Sequence, residues 1–143
     1  MRVGVDGRSL AGGGRRGVAH YTSALLRALA AEFPDDDWRV LLPRGAGEAP
    51  AGVTAVRSEW PSRVLFGAAA VAGRPRLERL LAGCDVLWAP APAPLALGNG
   101  VPFVLTVHDR SWELRPGDFT RYERAWHALA RPRALARLSL IHI

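Results

Sequence analysis

Two stretches of this 143-residue chain carry groups suited to chemistry. The first runs from Gly7 to Gly17 and holds five glycines and three arginines, Arg8, Arg15 and Arg16. Gly12, Gly13, Gly14 and Gly17 leave little bulk near the backbone, so a ligand can come close to it. If a helix follows Gly17, its first N–H groups lack partners within the helix and carry partial positive charge, the setting in which a phosphate docks. Arg15 and Arg16 would add charge-assisted contacts. The second stretch is His108-Asp109, at the end of the apolar run Val101–Val107. A histidine there can act as a general base, bond a sugar hydroxyl, or simply be hydrogen-bonded near a sheet edge, and residue type leaves all three open. His20, His127 and His142 carry less information, with surface or interface positions the default for each.

The elements that must position these groups alternate along the chain. Arg2–Asp6 reads as a buried, parallel strand around Val3 and Val5. Val18, Tyr21, Leu25, Leu26, Leu29 and Phe33 recur at three- and four-residue spacing, which predicts a helix from about Val18 to Glu32 that ends at Pro34. Trp38–Leu42 is a second strand closed by Pro43, and Ala51–Val56 a short third one. Ser62–Ala72 and Pro75–Leu81 read as helical pieces broken near Gly73, the second ending at Gly83. Asp85–Trp88 is a further strand, and the prolines of Ala89 to Pro94 forbid both helix and ladder, leaving a stiff loop. Val101–Val107 is the clearest strand, and Asp118–Arg137 a long helix interrupted at Pro132. This order predicts an α/β fold, an open and mostly parallel sheet with helices on both faces. In such sheets ligands bind outside the carboxyl ends of the strands, where both the glycine loop and His108-Asp109 fall.

Gly12, Gly14 and Gly17 also satisfy G-x-G-x-x-G, the dinucleotide fingerprint. Its setting counts against it, because Gly7 to Ala11 intervene after the strand and the second strand runs into Pro43-Arg44 instead of an acidic residue. A surface loop without a ligand is the plain alternative. No His/Cys/Asp/Glu cluster has metal-ligand spacing, so no metal and no cofactor are expected. No serine stands in a G-x-S-x-G elbow.

Composition bounds these readings. Hydrophobic residues make up 49% and charged residues 22%, ordinary for a folded domain and unlike a disordered chain or a disulfide scaffold. The length fits one domain. All 19 basic residues are arginine and the net charge is +6, which favours anionic partners in general. Cys84 is the only cysteine, so no intrachain disulfide can form; the residue reads as a small buried apolar group in a reduced compartment. No secretory leader is seen, and the longest apolar or glycine run, Val64–Gly73, is too short to span a bilayer. The last six residues, LSLIHI, carry no cap or turn signal and resemble translated adapter sequence; 138–143 are expected to be a non-native or disordered tail.

With those residues in view, the chain resembles a family. RVGVDGRSL, the glycine loop and GVAHYTSALLRAL are similar to the N-terminus of retaining glycosyltransferases of the GT-B fold, glycosyltransferase family 4 (group 1). PFVLTVHDRSWELRPGDFTRYERAW is similar to that family's segment in which a strand ends in V-H-D before a long helix. The resemblance covers Arg2 to Arg137 and implies that residues 1–137 form the N-terminal, acceptor-side Rossmann-like domain, with a C-terminal nucleotide-binding domain absent from the chain. It implies that Gly12, Gly13, Gly14, Arg15, Arg16 and Gly17 lie against the diphosphate of a nucleotide-sugar donor. It implies that His108 faces the transferred sugar as the catalytic group, while Asp109 and His20 support it. The nucleotide-sugar is then a substrate, the departing diphosphate accepts the acceptor's proton, and this half alone is inactive. Trp88 stands near where many relatives carry a histidine. Expected partners are the donor, an acceptor (glycan, lipid-linked or small molecule) and the second domain, with no nucleic acid. The expected location is cytoplasmic, with peripheral contact at the inner face of the cell membrane. The reading from another class is a non-catalytic binding module that docks on anionic lipid or a partner protein through Arg115, Arg121, Arg124, Arg131, Arg133 and Arg137.

Overall fold

The computed structural model describes residues 1–11, 17–98, 100–109, 111–121, 123–125, 127–128 and 140–142. Among them lies one six-stranded sheet, every neighbouring pair parallel, in the order β3-β2-β1-β4-β5-β6. The strands are β1 (Arg2–Asp6), β2 (Asp37–Leu42), β3 (Thr54–Arg57), β4 (Val86–Ala89), β5 (Phe103–Thr106) and β6 (Leu140–His142). The helices are α1 (Gly17–Glu32), α2 (Ser62–Ala72), α3 (Leu77–Leu80) and α4 (Ser111–Leu114), with 3-10 turns at Gly7–Leu10 and Pro116–Asp118. The α/β, doubly covered sheet expected from the alternation is what forms.

The strand order fixes where a ligand can sit. From β1 the chain steps outward to β2 and β3, then crosses back to place β4 on the other side of β1. Parallel crossovers are right-handed, so reversing the direction of travel puts α1 on one face and α2 with α3 on the other. The two apolar clusters follow this division. Val3, Val5, Trp38, Val40, Leu42 and Trp88 pack with Ala19, Leu26 and Ala30 of α1. Leu41, Leu87, Ala89, Phe103 and Leu105 pack with Leu65 of α2 and Leu77 of α3. Alternate residues of each strand go to opposite faces, as the pleat requires. The reversal of direction lies between β1 and β4, and in open α/β sheets the carboxyl edge at such a point is where ligands bind.

Four local readings are corrected. The buried face of α1 is Ala19, Thr22, Leu26 and Ala30; Tyr21, Leu25 and Leu29 flank it, and Phe33 is half exposed because the helix ends at Glu32 and the chain turns away. Small residues at the centre let the helix approach the sheet, and fully burying Leu26 is worth about 1.5–3 kcal/mol. The helix expected from Asp118 begins after Thr120. The Thr120 hydroxyl accepts from Glu123 N at 3.2 Å while the Glu123 carboxylate accepts from Thr120 N at 2.9 Å, a reciprocal cap. Its course over 129–137, with Tyr122, Trp126 and Leu129 of the expected face, lies outside the described residues. The tail set apart from the fold contributes Leu140–His142 as β6, in register with Val104–Thr106. Cys84 is only partly buried, and loss of solvent raises its thiol pKa.

The amino edge of the sheet is held by ion pairs. Met1 N bonds Asp36 at 2.7 Å, Arg2 N donates to Asp85 at 2.7 Å, and Asp37 takes Arg2 at 3.1 Å and Arg39 at 2.9 Å. The hydrogen bond from Arg39, then that from Arg2, keeps the Asp37 carboxyl below its usual range. The opposite edge carries His108 and Asp109.

Candidate active site

The candidate site lies at the carboxyl ends of β1, β4 and β5. β5 is short because Pro102 has no N–H for the ladder, and it releases the chain after Thr106 so that Val107, His108 and Asp109 turn out over the sheet edge. His108 Nε2 lies 2.8 Å from the carbonyl oxygen of Pro90, in the loop after β4. A carbonyl can only accept, so Nε2 carries the hydrogen, and in the neutral ring Nδ1 is the lone-pair atom. The ring is also met edge-to-face by Tyr21 of α1, with centroids 4.7 Å apart at 90°. Tyr21 in turn stands against Trp88, centroids 6.4 Å apart, and the Trp88 indole N–H donates to Thr106 Oγ1 at 3.0 Å. The helix behind the glycine loop and the V-H-D strand end therefore touch.

Asp109 turns away from this contact. Its Oδ1 accepts Ser111 N at 2.8 Å and the Ser111 hydroxyl, capping the first turn of α4, and those bonds hold its carboxyl below the usual carboxylate range. Asp109 is thus committed as an anion to orienting the segment after His108. Beyond it Trp112 stacks on His127 with centroids 4.8 Å apart and Phe119 meets the same ring edge-on; burial pushes the His127 pKa down.

At the end of β1 the sequence reading is corrected. Gly7 to Leu10 is not open loop but a 3-10 turn capped by Asp6, and Gly7, Arg8 and Leu10 are buried. A side chain at Gly7 would strike Leu41 O and Val40 Cγ2, so glycine is required by contact with β2. Arg8 does not lend charge to the loop. Its Nε and Nη2 fork onto the two oxygens of Asp6, each at 2.8 Å, Nη2 also donates to Pro94 O at 3.1 Å, and its Cζ lies 4.1 Å above the Phe66 ring. Ser62 of α2 donates to Arg8 O at 3.1 Å. Ala11 then bridges to Ala46 in the loop after β2, fixing the near end of the glycine segment.

Gly12, Gly13, Gly14, Arg15 and Arg16 lie outside the described residues. Gly17 opens α1, is exposed, and has nothing within 4 Å of the place a Cβ would take. His20 is exposed on the first turn of α1, one residue before the tyrosine that reaches His108. The structure thus brings together His108, Asp109 and the start of α1. Sequence reasoning missed Tyr21, Pro90 and the Asp6–Arg8 pair; the signals available were an acid and an arginine directly at the first strand's end, and an aromatic residue in the first turns of α1. Of the arginines weighed for docking, Arg115 pairs with Asp118 at 2.9 Å, Arg121 and Arg124 are exposed, and Arg131, Arg133 and Arg137 fall outside the described residues.

Among the described residues no group of three His, Cys, Asp or Glu side chains could hold a metal ion, and no helix is long and apolar enough to cross a membrane. The family model described as Glycosyltransferase Family 4 matches residues 15–139. No curated protein and no solved structure matches the chain.

Proposed function

Because this chain belongs to glycosyltransferase family 4, we propose that the carboxyl edge of its sheet is one wall of the site at which a sugar passes from a nucleotide-sugar donor to an acceptor with retention. The observation that supports this most is the contact between Tyr21 and His108. It joins the two stretches that separately resemble the family, at the strand reversal where open α/β sheets take ligands. His108 presents a ring of fixed orientation to the sugar, with Nδ1 as the atom not engaged by Pro90 O. The loop of Gly12 to Gly17 lies against the diphosphate, with the first N–H groups of α1 and Arg15 and Arg16 opposing its charge. Asp109 holds the strand end and takes no proton from the acceptor; that proton goes to the departing diphosphate.

One wall does not enclose a donor, since ligand sites bury most of their ligand's surface. A second α/β domain supplies the other wall and most contacts to the nucleotide, so the 143-residue chain alone binds donor weakly and turns over negligibly. The test is to assay nucleotide release and product formation from a panel of nucleoside-diphosphate sugars, with this chain alone and with it joined to such a domain. Robust transfer by the chain alone would overturn the two-wall reading, and an inverted anomeric centre in the product would overturn retention.

A further inference from the structure

We propose that Arg8, locked to Asp6, is a positioning residue for His108, acting through the proline segment Pro90–Pro94. The segment reads Pro-Ala-Pro-Ala-Pro. Proline fixes φ near −65° and has no N–H, so between the two ends only Ala91 and Ala93 contribute a soft φ. The segment behaves as a strut. At one end Pro90 O accepts from His108 Nε2 at 2.8 Å; at the other Pro94 O accepts from Arg8 Nη2 at 3.1 Å. Pro90, Ala93 and Pro94 are buried, so the two acceptor carbonyls belong to a covered segment, while the His108 ring that donates to one of them is itself exposed.

Arg8 is itself immobilised on three sides: forked on Asp6, faced by the Phe66 ring, and held at its carbonyl by Ser62. Its side chain is only 4% exposed, and that of Asp6 only 5%. Stability alone gives little reason for such a pair, because apolar residues of similar volume commonly fold as well or better in place of a buried ion pair. What the pair supplies that apolar residues cannot is an N–H of Arg8 Nη2, held in place by the fork on Asp6 and aimed at Pro94 O. Releasing that end lets the strut shift, the His108 N–H loses its acceptor, and the ring is free to turn and exchange tautomers. The inference rests on reading His108 as the sugar-facing group, but the His108 ring reports it without any donor present.

The experiment is two-bond proton–nitrogen NMR of the histidine rings in the full chain, in mildly alkaline buffer. His108→Gln identifies the resonances. Wild type is expected to show His108 as a single Nε2–H tautomer, its two ring nitrogens widely separated in shift. In the apolar replacement Asp6→Leu/Arg8→Met the two shifts should converge toward those of exposed His20 in the same spectrum, with near-UV circular dichroism unchanged. Arg8→Lys, which keeps the charge but not the fork, should converge in the same sense and decides the matter if the double variant does not fold. Arg39→Met, at the opposite edge, should leave His108 unmoved. An unchanged His108 pattern in either folded Arg8 variant would overturn the proposal, as would an equal shift in Arg39→Met. If the ring responds as expected while His108→Ala leaves sugar transfer intact, the functional reading fails and the positioning stands; an unmoved ring with transfer lost fails the positioning alone.

Discussion

Replacing Arg8 by Met while keeping Asp6 isolates what the buried pair contributes. The Asp6 carboxylate would keep the main-chain N–H of residue 8, at 3.1 Å in wild type, and lose both 2.8 Å bonds of the fork. Pro94 O would lose its donor, and Phe66 the cation above its ring. Removing one partner of a buried pair costs about 3–5 kcal/mol, because the other charge is left without compensation. Set against a total stability of about 5–15 kcal/mol, that is a large share. Asp6→Leu/Arg8→Met removes the stranded charge as well and should recover much of that loss, leaving about 1–3 kcal/mol for the main-chain N–H of residue 8 and Pro94 O left without partners. The Asp37–Arg39 pair offers an internal comparison, since its side chains are 40% and 22% exposed; Arg39→Met should cost about 0–1 kcal/mol. Urea denaturation followed by tryptophan fluorescence gives all three values, provided the slope with denaturant stays constant. An Arg8→Met cost below about 1 kcal/mol, or a double variant no better than the single one, would show that the pair is not desolvated in the way argued.

Other outcomes follow from the same contacts. Gly7→Ala should cost at least about 1–3 kcal/mol in a urea titration, because the new methyl meets main chain of β2 that cannot swing aside as a side chain would. Trp88→Phe should cost about 1 kcal/mol or more by removing the N–H that Thr106 Oγ1 accepts, and a thermal midpoint equal to wild type would contradict that bond. Asp109 has its pKa lowered in the fold from an ordinary value of 3.8, so the stability it contributes is complete above that value and is lost as pH falls through the lower folded one. Asp109→Asn should therefore flatten the acid limb of a urea-midpoint profile measured on both sides of 3.8; an unchanged limb would refute the capping bond to Ser111.

Much of this fold is legible in residue order, for identifiable reasons. β1 and α2 form over the predicted residues because β-branched valines end at Asp6-Gly7, and because Ser62 follows a proline while Gly73 takes a left-handed φ of 61°. The strand order is not written in any single element: it depends on which side of β1 the chain returns to after α3. In the site, His108 and Asp109 are visible as polar residues at an apolar strand's end. Tyr21 is not, because helical periodicity counts an aromatic residue as core without saying which neighbour it faces. Arg8 is misread for the complementary reason: an arginine among glycines looks like ligand-facing charge until the fork on Asp6 turns it inward. The Thr120-x-x-Glu123 pattern is a start signal in the sequence for the last helix, and the cap it forms begins the helix at Arg121 instead of Asp118.

The most direct measurement is sugar transfer by the chain joined to a second α/β domain, wild type against His108→Ala, with product configuration read by NMR. Transfer from a nucleoside-diphosphate sugar with the anomeric configuration retained is expected, with a fall of about 100-fold on removing the imidazole, the scale of losing one positioned hydrogen-bonding group at a reacting centre. Full activity in His108→Ala, or no transfer from any such donor by the wild-type protein, would contradict it.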